Sequence, residues 1–177
     1  MPQNPPWPAP QRVDPPFTGD ERTLLVAWLD YHRATLLTKC SGLRAEQLVL
    51  RSCPPSTLSL LGLVRHLADA ERDWFRRNLD AKDRGQVPRL HSDASDPDGD
   101  FDRTDPARAA EDLATYLAET QASDGIAARY RLDDTGTMRD GNPVSLRWIY
   151  QHLIEEYARH NGHADLLRQA IDGAVGE

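Results

Sequence analysis

Cysteine is scarce in this chain of 177 residues: there are only two, Cys40 and Cys53. They form neither a CxxC pair nor the repeated spacing of a disulfide framework, which excludes a dithiol redox protein and a cysteine-stapled scaffold. Each reads as a small structural or surface thiol. Long apolar runs are also missing, and no stretch approaches the ~20 residues that cross a bilayer. The N-terminus lacks a basic start followed by an apolar core, so no secretory leader is expected. Positive charge is in deficit, with 21 Lys and Arg against 28 Asp and Glu and a net charge of −7. That balance argues against nucleic acid and anionic membrane surfaces as partners. The expectation is a soluble cytoplasmic protein, large enough for one domain with a real core.

What the chain does have is helical periodicity, punctuated by clear stops. Residues 1–18 hold seven of the thirteen prolines together with Trp7 and Phe17, and read as an extended arm. The remainder, 19–177, reads as one helical domain. Thr18 or Asp20 can cap a first helix reaching about Thr38, with Ser41-Gly42 beyond its end. Ser56 or Thr57 can cap a second helix to about Leu79, whose apolar stripe runs Leu60, Leu63, Val64, Leu67, Trp74 and Phe75. Gly62 inside that stripe suggests close packing or space for a ligand. The arginines at 65, 72, 76 and 77 interleave with acids and read as a solvated charged face.

Residues 80–104 are rich in Asp, Gly and Pro and show no periodicity. They are expected to form a long crossover loop, a lid or disordered, with its acids and His91 in solvent. Asp105-Pro106 starts a third helix through Leu113, Tyr116 and Leu117 towards Tyr130. A loop or short hairpin follows over 133–143. Ser145 then caps a fourth helix that ends at Gly173. Four helices, no convincing strands and no internal repeat predict an all-α, four-helix bundle with long connecting loops.

The fourth helix carries the chemistry. Its core-facing stripe should run Ile149, Leu153, Glu156, His160, His163, Leu167 and Ile171, in steps of three and four. Both ends are aliphatic, but the middle holds a carboxylate and two imidazoles, with His152 one turn upstream. Burying such groups without partners costs several kcal/mol by the usual transfer estimates, about 2–7 for a neutral polar group. A shared metal ion would satisfy them. Glu156 and His160 are four residues apart, so they share a face about 6 Å apart along the axis. His152 with Glu156 has the same geometry, and Glu156 or His160 with His163 are further pairs. A third ligand from another helix is needed, and His66 is the histidine beside a core stripe in a second long helix. Two histidines and a glutamate with an open position form a catalytic pattern, whereas adding His163 would close the site into a structural one.

The runs GDERTLLVAWLDYHRATL, LSLLGLVRHLADAERDWF and RWIYQHLIEEYARHNGHADLLRQAIDG resemble the DinB/YfiT-like superfamily. Within it, they are similar to the actinobacterial group related to mycothiol-dependent maleylpyruvate isomerase and mycothiol S-transferases. The resemblance implies a four-helix DinB-like bundle holding a divalent ion, commonly zinc or nickel, on one residue of helix 2 and two of helix 4. His66, Glu156 and His160 occupy those positions. His163 falls where many relatives place glutamine, which implies a neighbouring rather than a ligating role, and His152 lies outside the matched triad. Tyr157 and Arg159 are further candidates for tuning the site.

The isomerase has an additional C-terminal domain that contributes to its active site, and few residues follow helix 4 here. The implied activity is therefore thiol S-transfer, with mycothiol held as a metal-bound thiolate for attack on an electrophilic small molecule. The alternative is a non-catalytic, stress-associated metal-binding bundle, with a homodimer joined through helix faces as one assembly.

Overall fold

The computed structural model describes residues 7, 9–80 and 84–175. Four long helices form the body. Helix α1 spans Glu21–Cys40, with the Asp20 side chain accepting from the Thr23 N–H at its start. A short helix α2, Ala45–Leu48, follows. Helix α3, Leu60–Glu71, is capped by Ser59, whose hydroxyl accepts from the Gly62 N–H. The capping residue thus lies two or three positions later than expected, because Ser56 and Leu58 are engaged in a turn of their own. From Arg72 to Leu79 α3 continues as a π-helix. Uniform helical spacing does not reveal this change of pitch, which puts one more residue in each hydrogen-bonded ring.

Helix α5, Ala109–Ala127, is preceded by a 3-10 turn at Pro106–Arg108 capped by Asp105, and stops short of Tyr130. Helix α6 runs 27 residues, Leu146–Asp172, from a Ser145 cap to Gly173 at φ +79°, where glycine is the residue free of Cβ strain. At ~1.5 Å per residue it spans roughly 40 Å. Packing pairs α1 with α6 and α3 with α5, while α3 also crosses α6, so the molecule is a helical bundle. The 133–143 connection contains a hairpin: β1 Thr135–Thr137 pairs antiparallel with β2 Pro143–Ser145. Gly136 presses on the end of α3, where an added Cβ would lie 2.1 Å from the Asn78 carbonyl oxygen.

The core is aliphatic at the α1–α3–α6 centre, with Leu29, Leu36, Leu60, Leu63, Leu67, Ile149 and Leu153 buried. Trp7 is buried too, and its carbonyl accepts from the Gly42 N–H, whereas Phe17 is fully exposed. No helix among the described residues is long and apolar enough to cross a membrane.

Two expectations need correcting. The charged face of α3 is not solvated throughout. Arg65 is buried against Asp112 of α5, and Arg72 reaches Glu119 of the same helix. Alternation of charge looks the same in sequence whether the partners are solvent or a facing helix. The 80–104 segment is also more than a solvated loop. It contains a 3-10 turn at Arg84–Gln86 and helix α4, Gly99–Asp102. Helix α3 holds this segment at several points. Arg72 donates to the Pro88 carbonyl, Asp69 accepts from the Leu90 and His91 N–H groups, and Arg65 donates to the Gly99 and Asp100 carbonyls. His91 is consequently half-buried, burial lowers its pKa, and its enclosed Nε2 has no hydrogen-bond partner among the described residues.

Candidate metal centre

Helices α3 and α6 cross with His66 on one and Glu156 and His160 on the other. One potential ligand atom from each of the three lies within 4.8 Å of the other two. His160 Nε2 is 3.4 Å from Glu156 Oε2, and the His66 and His160 rings are 4.7 Å apart between centroids. The i, i+4 spacing on α6 brings Glu156 and His160 together, and the crossing with α3 brings in His66. His160 is buried, while His66 and Glu156 are half-buried.

Each imidazole has a second neighbour that occupies its other nitrogen. His66 Nδ1 is 2.8 Å from Asp100 Oδ2, and Asp100 is itself buried at 4% exposure. His160 Nδ1 lies 3.3 Å from His163 Nδ1. Burial above all, then the neighbouring His66 and His163, pushes the His160 pKa down to about 3. That ring is therefore neutral at pH 7 and offers a lone pair. Phe101 stacks on the outer face of His66, with centroids 4.8 Å apart and planes inclined by 24°. Gly62 admits this packing, since a Cβ there would sit 3.3 Å from the Phe101 Cα.

His152 lies on the other side of Glu156, its Nε2 3.7 Å from Glu156 Oε1. It stacks on Trp148 at 4.8 Å and meets the edge of Trp74 at 4.6 Å, so it forms part of an aromatic wall. His152, Glu155 and Glu156 also bring ligand atoms within 4.8 Å of one another, but Glu155 is exposed and paired with Arg159. Tyr157 and Arg159 do not approach the His66–Glu156–His160 cluster through any hydrogen bond or ion pair. Tyr157 points into the core towards Glu71, and Arg159 faces outward to Glu155.

A cavity of about 1360 Å³ opens beside the cluster. His66, Glu156 and His152 line it together with Trp74, Phe101, Met138, Arg77 and Arg89. The π-helical part of α3 thus supplies Trp74 and Arg77, and the 84–104 segment supplies the opposite wall.

Sequence reasoning missed Asp100 and Phe101, because neither belongs to a periodic pattern. The available signal was slight: Phe101 is the sole phenylalanine, tyrosine or tryptophan between residues 80 and 104, and α3 offers a glycine to receive it. No curated protein and no solved structure matches the chain. A family model does, the one described as mycothiol-S-transferase, over residues 24–173. This span starts in α1, ends at the Gly173 cap of α6 and contains every residue of the cluster and its neighbours. The chain belongs to the mycothiol-S-transferase family, with the DinB/YfiT-like helical bundle that its own helices form.

Proposed function

We propose that this protein is a divalent-metal-dependent S-transferase that uses mycothiol against an electrophilic small molecule, with His66, Glu156 and His160 as the metal ligands. The observation that carries the reading is the convergence of three donor atoms beside a large cavity, in a chain of this family. The donors suit a borderline divalent ion such as zinc or nickel: two imidazole nitrogens and one carboxylate oxygen. Both imidazoles are prepared for ligation. His160 is neutral, with Nδ1 turned to His163, and His66 has Nδ1 turned to Asp100, leaving its Nε2.

When bound, such an ion supplies Lewis acidity that keeps a thiol deprotonated, and hence nucleophilic, at neutral pH. Other residues shape the surroundings. Phe101 covers His66 and limits water on that side. Trp74, Trp148 and His152 form a wall beside Glu156 that can orient a planar or apolar electrophile. Three protein ligands leave a coordination position for the thiol, which is the catalytic rather than the structural pattern. Small molecules, not nucleic acid, are the partners this reading assigns, and the cytoplasm is the compartment that goes with a reduced thiol co-substrate.

The test is elemental analysis of protein purified without metal-affinity resin, followed by thiol-conjugation assays with mycothiol and a panel of electrophiles. The expected result is one divalent ion per chain and metal-dependent conjugation, both lost in His66→Ala and His160→Ala. Normal metal content in both variants would overturn the ligand assignment. Bound metal without conjugation across the panel would favour a non-catalytic metal-binding protein.

A further inference from the structure

We infer that Asp100 is a positioning residue that sets the tautomer and orientation of His66. This would make the 84–104 segment a structural part of the metal centre rather than a cover over it. The inference rests on the metal-site reading above and extends it to a residue outside the three ligands. Asp100 Oδ2 lies 2.8 Å from His66 Nδ1. A buried carboxylate at that distance accepts the Nδ1 proton and leaves the Nε2 lone pair for coordination, the arrangement by which an outer carboxylate fixes a ligating imidazole.

Asp100 is itself held on every side. Its Oδ1 accepts from the Phe101 N–H at 3.0 Å, and its carbonyl accepts from Arg65 Nε at 3.0 Å. Arg65 also donates to the Gly99 carbonyl and is anchored by Asp112 of α5. Phe101, the next residue, stacks on the same imidazole. One short stretch of chain therefore makes both the hydrogen bond and the ring contact that define where His66 points. The ring could not turn over without breaking the hydrogen bond, nor tilt out of its plane without losing the stack.

The experiment compares wild type, Asp100→Asn, Asp100→Ala and Asp98→Ala. Asp98 lies in the same segment and lines the same cavity but makes no hydrogen bond or ion pair with His66. Two readouts are used: zinc affinity by competition with a chromogenic chelator, and the His66 tautomer in metal-free protein by nitrogen-15 NMR. Wild type and Asp98→Ala are expected to bind zinc equally and to show His66 protonated at Nδ1. Asp100→Asn and Asp100→Ala should bind zinc about 10–100-fold more weakly. The Nδ1–H preference should be lost in Asp100→Ala, with little change in the melting temperature of Asp100→Asn.

Wild-type zinc affinity in a folded Asp100→Asn, or an unchanged tautomer in a folded Asp100→Ala, would overturn the inference. If Asp100→Ala does not fold, the zinc affinity of Asp100→Asn decides, since its amide oxygen can still accept from Nδ1. Failure of wild type itself to bind zinc would overturn the metal-site reading. The tautomer measurement, made without metal, would still decide whether Asp100 controls the ring.

Discussion

Helices α3 and α6 meet at two polar clusters, and the contrast between them separates structure from chemistry. One is sealed. Arg33 of α1 makes a bidentate pair with Glu71 of α3 at 2.7 and 2.8 Å. Tyr157 of α6 donates to Glu71 at 2.9 Å, and the Tyr116 hydroxyl of α5 lies 3.1 Å from that of Tyr157. Arg33 Nη1 donates to Asp124 and to Asp30. All four long helices contribute, and both carboxylate oxygens of Glu71 are hydrogen-bonded. The other cluster is His66, Glu156 and His160. Its members converge beside a cavity, while a second nitrogen of each imidazole, Nδ1, is taken up by Asp100 or His163. A buried network with complete partners is a fastening. Two imidazoles and a carboxylate that converge beside a cavity are where the proposed ion would sit.

The strongest way to break the comparison is to cut the sealed cluster. Arg33→Ala leaves Glu71 as an uncompensated buried carboxylate and should cost about 3–5 kcal/mol in urea unfolding. A cost below about 1 kcal/mol would mean that the network is not a fastening. Tyr157→Phe removes a hydrogen bond to a charged group and should cost about 1.5–3 kcal/mol by the same measurement. Neither variant, while folded, should bind zinc more weakly than the wild type.

Acid should act on the open cluster instead. The His160 pKa is about 3 in the folded chain against an ordinary value of 6.5. Between these values the unfolded chain binds a proton that the folded chain does not. The contribution is complete above pH 6.5 and declines as the pH falls towards 3. Metal-free protein should therefore melt at progressively lower temperature over that window, and His160→Gln should show a shallower decline. Equal slopes would remove His160 as the cause.

The smallest effect is expected at Glu156. Glu156→Gln should change the metal-free stability by no more than about 0.5 kcal/mol, because the side chain is half-buried and, among the described residues, has only His160 and His152 nearby at 3.4 and 3.7 Å. The same variant should lose the rise in melting temperature that zinc gives the wild type. Saturation at 100 times the dissociation constant is worth about 2.7 kcal/mol. A large loss of metal-free stability would make the two clusters alike.

The open cluster was more legible in the sequence than the sealed one. Periodicity and caps located the four long helices, because Asp20, Asp105, Ser145 and Gly173 mark ends by their own hydrogen-bonding or backbone preferences. The i, i+4 spacing flagged Glu156 with His160, and the search for a partner on a second helix picked out His66. Tyr157, by contrast, read as a neighbour of the site, although the adjacent side chain on a helix points about 100° away. Arg33 and Arg65 were hidden because a buried charge is recognised by its partner, and those partners are 38 and 47 residues distant. Asp100 was hidden for the same reason, in a segment whose fold depends on tertiary hydrogen bonds rather than on local repeats.

Helix α6 places Glu156 and Tyr157 side by side in sequence but on different faces, and that has a consequence for how the protein can change. Position 156 borders open space, so selection there acts through affinity for what occupies the cavity. Position 157 is locked to Glu71 and Tyr116, so selection there acts through survival of the fold. Neighbouring codons thus answer to separate demands, and the chemistry of the cavity can drift while the frame that carries it stays fixed.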